Sequence, residues 1–165
     1  MMYLLKILPS SWFFTFMLLS IIVIQTYGAE LTNKQKITLI QPIEHHAMIY
    51  GEGQKKVYVF VDPKCPHSRD FMAMINENEK MRTIYRYYIF FYELKRFHSH
   101  DLIAAIYMSP APLQQTLEVM AMGKDISENI RTEPKIEAKI DEISDVADAI
   151  GVSKRPYLII MKENN

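Results

Sequence analysis

The stretch "FVDPKCPHSRDF", Phe60 to Phe71, carries the single cysteine of this 165-residue chain. The nucleophile in disulfide exchange is a thiolate, and a helix N-terminus favours one through its unpaired N–H groups and positive dipole end. Cys65 stands at such a place. Asp62-Pro63 ends a strand-like run, and Pro66 suits the first turn of a helix, where its missing N–H costs nothing. The amides of His67 and Ser68 are then free to point back at the sulfur. His67, when protonated, adds a cation. Ser68, one turn on, has an O–H to donate to sulfur. These residues mark Cys65 as an exposed, activated nucleophile rather than a buried inert cysteine.

Such a site needs a strand before it and a helix behind it. "KVYVFVD", 56 to 62, is β-branched and aromatic, a strand buried on both faces. Phe71, Met74 and Ile75 fall at helical spacing, with Arg69, Asp70, Asn76 and Glu77 opposite. "TIYRYYIFFYEL", 83 to 94, is a second central strand. Helices follow over "DLIAAIYM" and "LQQTLEVMAM", the latter ending near Gly123. Another runs through "PKIEAKIDEISDVADAIG", with Ile136, Ile140, Ile143, Ala147 and Ile150 on one stripe and Gly151 as its stop. "RPYLIIM" is the last strand. Strands alternating with helices predict a layered α/β domain whose first two central strands are parallel. Upstream, "KITLIQPI" reads as an edge or irregular strand because of Pro42. "AMIYGEGQKK" reads as a short strand and a turn.

With these elements in place, "VYVFVDPKCPHSRDF" resembles the active-site region of thioredoxin-fold periplasmic proteins, nearest to disulfide isomerases of the DsbC and DsbG kind. The Pro66-His67 dipeptide is similar to that of the oxidising DsbA proteins, where the histidine helps hold the thiolate. "GVSKRPYLII", Gly151 to Ile160, resembles the family's loop that ends in a cis-proline before a strand. The resemblance implies a thioredoxin-like three-layer α/β fold with a helical insertion, lacking the family's C-terminal strand and helix. It makes Cys65 the nucleophile, with His67 and Ser68 beside it, and Pro66, Arg155 and Pro156 the substrate-binding wall. Arg155 would flank the thiolate and suit acidic or glutathione-like partners. The organisation expected is a signal peptide or membrane anchor over 1–29, a lead-in segment with a short strand over 30–54, and a thioredoxin-like domain over 55–165.

Ser68 occupies the position of the family's resolving cysteine. One cysteine excludes an internal disulfide and the usual dithiol cycle. What remains is a mixed disulfide resolved by an external thiol such as glutathione, or isomerisation by attack and re-attack. The alternative is a groove that binds unfolded or cysteine-containing partners without turnover. The expected partners are protein thiols or disulfides, or glutathione as co-substrate, with no other cofactor.

The 19 basic and 19 acidic residues balance, so no global charge points to nucleic acid. "YRYY" mixes arginine with aromatics but sits in a neutral chain. The apolar run from Trp12 to Ile24, with Gly28 and Ala29 behind it, predicts export to a periplasm or retention on an inner membrane, the membrane being met only through that segment. His45-His46 and His98-x-His100 are the histidine pairs that could suggest a metal. Adjacent histidines project differently and no second ligand cluster is visible, so they read as solvated loops with no metal. Pairing Cys65 with His67 as a copper site has no further support, and the eleven methionines sit mainly at core spacing.

Overall fold

The computed structural model describes residues 30–128 and 131–161. The chain divides into two compact units, Met1–Leu31 and Thr32–Asn165. The expected signal peptide or anchor over 1–29 lies outside the described residues, and the architecture below is that of the second unit. No helix among the described residues is long and apolar enough to cross a membrane.

The sheet is built on the two apolar runs. β2 (Lys55–Val61) and β3 (Tyr85–Phe91) lie side by side and parallel, with Val57 opposite Tyr87 and Val61 opposite Phe91. Val59, Phe60, Val61, Ile89, Phe90 and Phe91 are fully buried. Each such side chain contributes about 1.5–3 kcal/mol on leaving water, which is why this pair forms the centre. β1 (Met48–Tyr50) adds antiparallel to β3, and β4 (Tyr157–Ile160) adds antiparallel to β2. The order is β1-β3-β2-β4.

Helices cover both faces. α2 (Pro66–Glu77) lies over the face carrying Tyr87, where the Phe71 and Tyr87 rings meet edge to face at 6.0 Å. Phe91, on the same face, meets Tyr107 of α4 (His100–Met108). The other face carries Tyr58 and Lys56, whose polar ends reach Glu44. α6 (Pro134–Ala149) presents Ile136, Ile140, Ile143 and Ala147 to the core, as the sequence stripe predicts. Gly151, at φ 75°, stops it, and Val152 N–H closes the turn on the Ala147 carbonyl.

Three elements differ from expectation. "KITLIQPI" is not a strand. It lies in α1 (Asn33–Ile40) and a following 3-10 turn, Gln41–His46. A capping box makes the helix start: Thr32 Oγ1 accepts from Gln35 N–H, and the Gln35 side chain accepts from Thr32 N–H. Pro42 sits in the first turn of the 3-10 segment, where it costs no backbone bond. A short helix, α3 (Glu79–Ile84), precedes β3, capped by the Asn78 side chain on Met81 N–H. The helix expected up to Gly123 is α5 (Pro112–Thr116) followed by a wider π-helical turn, Leu117–Ala121.

The lead-in segment ends in a close approach. A side chain at Gly53 would collide with the backbone of Ile84 and Tyr85, so the β1–β2 turn can pass the end of α3 only as glycine.

Candidate functional site

Cys65 is the N-cap of α2. Its backbone is extended, at φ −77° and ψ 120°, and its carbonyl accepts the first helical bond from Arg69 N–H at 3.0 Å. Its own N–H closes a turn on the Asp62 carbonyl at 3.1 Å. Among the described residues no side chain caps the helix start, so its first N–H groups have no side-chain acceptor. Strand end, turn and Pro66 thus place the thiol where the sequence predicts.

Its exposure is another matter. Cys65 is 1% exposed, contrary to the expectation of an open helix-start thiol. Residues 90 positions downstream cover it: the Arg155 carbonyl lies 3.9 Å from Sγ, and the Arg155–Pro156 peptide is cis. That carbonyl is the one hydrogen-bond partner of the sulfur among the described residues. Pro66 and His67 are exposed at the helix tip, and no hydrogen bond joins His67 to the sulfur among the described residues.

Ser68 is buried with no exposed surface, and its hydroxyl oxygen accepts Asp62 N–H at 3.2 Å. The expected donation from Ser68 to the sulfur is not among the hydrogen bonds of the described residues. The position that would hold a resolving cysteine therefore ties α2 to the end of β2.

Arg155 also differs from expectation. Its guanidinium does not face a groove; the residue is 6% exposed. Nε donates to the Tyr92 carbonyl at 2.8 Å, and the terminal nitrogens donate to the carbonyls of Glu93, Val152 and Lys154. It also stacks on the Tyr92 ring, 3.8 Å from the centroid. Burial pulls its pKa below the ordinary value, while Tyr92, Asp62 and Cys65 pull the other way. Arg155 meets the thiol through its backbone carbonyl and as a fixed buried cation. It offers no side-chain hydrogen bond to an incoming partner.

Asp62 is the residue that sequence reading passed over. It is fully buried, and its carboxylate collects three donors: Lys64 N–H at 2.8 Å, Leu94 N–H at 2.5 Å and Ser99 Oγ at 2.7 Å. A buried carboxylate is tolerable only when hydrogen-bonded and near positive charge. Arg155 supplies that charge at longer range. The signal was an acid immediately after five buried strand residues. Its acceptor role depends on Leu94 and Ser99, whose approach no local pattern encodes.

The four-stranded mixed sheet, the cysteine opening a helix after the first central strand, and the cis-proline loop facing it together define a thioredoxin-like fold. No protein-family model and no curated protein matches the chain. Among solved structures, ScsC of Proteus mirabilis in a transitional conformation is similar at TM-score 0.60 and 14% identity, over 88% of this chain and 79% of that one. The thiol-disulfide exchange protein alpha-DsbA2 of Wolbachia pipientis is similar at TM-score 0.55 and 16% identity, over 78% and 84% of the two chains. A disulfide interchange protein of Neisseria gonorrhoeae is similar at TM-score 0.53 and 20% identity, over 70% and 79%. At these identities the likeness is one of fold.

Proposed function

We propose that this chain is an exported thiol-disulfide exchange protein that works through one cysteine. The observation that carries the reading is the meeting of Cys65 Sγ, at an uncapped helix start, with the backbone of the cis Arg155–Pro156 pair. Structures described as thiol-disulfide exchange and disulfide interchange proteins share the fold and support it.

The chemistry balances without a second cysteine in the chain. The Cys65 thiolate attacks one sulfur of a partner disulfide, a new S–S bond forms, and the partner's other sulfur leaves as a thiolate. An external thiolate, from the partner or from glutathione, then attacks the mixed disulfide and restores Cys65. Asp62 and Ser68 hold the strand end and helix start in register. Arg155 supplies buried positive charge on the side of the sulfur. Protein disulfides and thiols are the partners, and export places them in an oxidising compartment.

A second reading has its own observation. Cys65 and Ser68 are both sealed from solvent, as suits a binding module that keeps the groove without turnover. Alkylation separates the two. If the thiol is activated, Cys65 reacts with iodoacetamide at pH 6 faster than free cysteine, and scrambled disulfide substrates rearrange only when Cys65 is present. A slower reaction than free cysteine rules out the exchange reading. Fast alkylation without rearrangement supports the binding module.

A further inference from the structure

We propose that His45, His46 and Glu142 form a three-ligand site for Zn2+, independent of the thiol. One ligand atom from each residue lies within 4.8 Å of the others. The sequence argued against this, because neighbouring side chains usually diverge. The 3-10 turn Gln41–His46 overrides that tendency: the two imidazole rings stand 3.8 Å apart, centroid to centroid. The third ligand comes from α6, 96 residues on, where Glu142 Oε2 lies 2.8 Å from His46 Nε2.

The chemistry of the set is that of zinc. Two imidazoles and a carboxylate form a mixed N/O group that suits Zn2+ rather than Mg2+ or Ca2+, and three protein ligands leave a fourth position to water. Zn–N and Zn–O bonds of about 2.1 Å imply ligand-to-ligand edges of roughly 3.4 Å. The separations here, from 2.8 Å to at most 4.8 Å, bracket that value, so rotamer-scale shifts suffice. His45 also has the supporting bond that metal-bound histidines characteristically have. Its Nδ1 lies 2.9 Å from the Pro42 carbonyl, which can only accept, so Nδ1 carries the hydrogen and Nε2 keeps its lone pair.

The scaffold on both sides is fixed. Ile43 anchors the turn in the core, and Ile140 and Ile143 anchor α6 on either side of Glu142. Glu44, next to the histidines, is not a competing ligand, because its two oxygens are held by Lys56 Nζ at 2.8 Å and Tyr58 OH at 2.6 Å. Zinc here would clamp α6 to the segment that leads into β1, on the sheet face opposite α2.

The test uses the full chain, stripped with EDTA and titrated with Zn2+ alone. The expected result is one zinc per chain and a rise in melting temperature with added Zn2+, unaffected by excess Mg2+. Glu142→Gln and His45→Ala should each weaken binding by about tenfold or more, while Cys65→Ser binds as the parent chain does. Imidazole NMR on the unaltered chain needs no variant: zinc should shift the signals of His45 and His46 and leave those of His67, His98 and His100 in place. Unchanged affinity in Glu142→Gln, loss of zinc in Cys65→Ser, or shifts confined to the other histidines would each overturn the site.

Discussion

The hydroxyl oxygen of Ser68 accepts the backbone N–H of Asp62 at 3.2 Å, with both residues fully buried. The residue in the resolving position is thereby part of the joint between β2 and α2, and it contributes nothing that could release a mixed disulfide. Substituting Ser68→Ala removes an acceptor from a buried N–H and should cost about 1–3 kcal/mol, read as a lowered urea midpoint with an unchanged slope. Ser68→Cys places a second sulfur one helical turn from Cys65. A thiol count should then fall from two to none on mild oxidation, and insulin reduction should rise above that of the parent chain.

Arg155 tests whether the buried cation acts on the sulfur or only on the fold. Arg155→Met leaves four carbonyls without their donor and removes a buried positive charge that interacts with Asp62. Breaking a buried charge arrangement costs about 3–5 kcal/mol, so the urea midpoint should fall sharply. Arg155→Lys keeps the charge but cannot reproduce the planar fork. Alkylation of Cys65 at pH 6 should slow markedly in the methionine variant and stay near the parent rate in the lysine variant. Equal rates in all three chains would confine Arg155 to a structural role.

The Lys56–Glu44–Tyr58 cluster sets one component of the acid response. Partial burial works to raise the Glu44 pKa, but hydrogen bonds from Lys56 and Tyr58 outweigh it and hold the carboxyl below its ordinary value of 4.5. A depressed carboxylate stabilises the fold above the unfolded-state pKa, and that contribution fades as pH falls through the lower folded value. Stability measured with EDTA present should therefore drop below about pH 4.5, and Glu44→Gln should flatten that part of the profile. Lys56, whose pKa is raised chiefly by its hydrogen bond to Glu44, has the opposite sign: its contribution is lost only as pH rises past the ordinary lysine value of 10.5.

Gly53 sits against the backbone of Ile84 and Tyr85, where an added Cβ has nowhere to go. Gly53→Ala must separate the β1–β2 turn from the end of α3, at a cost of about 1–3 kcal/mol as for other overpacked sites. Thermal unfolding reads the loss. Gly123→Ala is the control, since its Cβ would meet nothing within 4 Å and only the φ of 70° is unfavourable.

Much of the site's local geometry was legible in the residues themselves. Pro66 in the first helical turn, Asp62-Pro63 at the strand end and the aromatic runs of β2 and β3 act over a few positions, where steric and hydrogen-bond rules are strong. "KITLIQPI" misled for a related reason. A short apolar run has no period long enough to separate strand from helix, and the capping box at Thr32 and Gln35 that decides it lies just before the apolar residues.

What the sequence by itself determined is that a lone thiol opens a helix behind a buried strand, with no internal partner. Whether that thiol faces solvent was decided by packing, which buries Cys65 and brings the Arg155 carbonyl to its sulfur from 90 positions downstream. Ser68 turned inward because β2 ends beneath it, and Asp62 became a buried acceptor because Leu94 and Ser99 arrive there. His45 and His46 gained a third neighbour only because α6 packs across their turn. Each of these outcomes depends on which distant surfaces meet, and burial is a property of the packed pair rather than of either segment. Local spacing encodes a residue's direction along its own element, and only tertiary packing decides what waits in that direction.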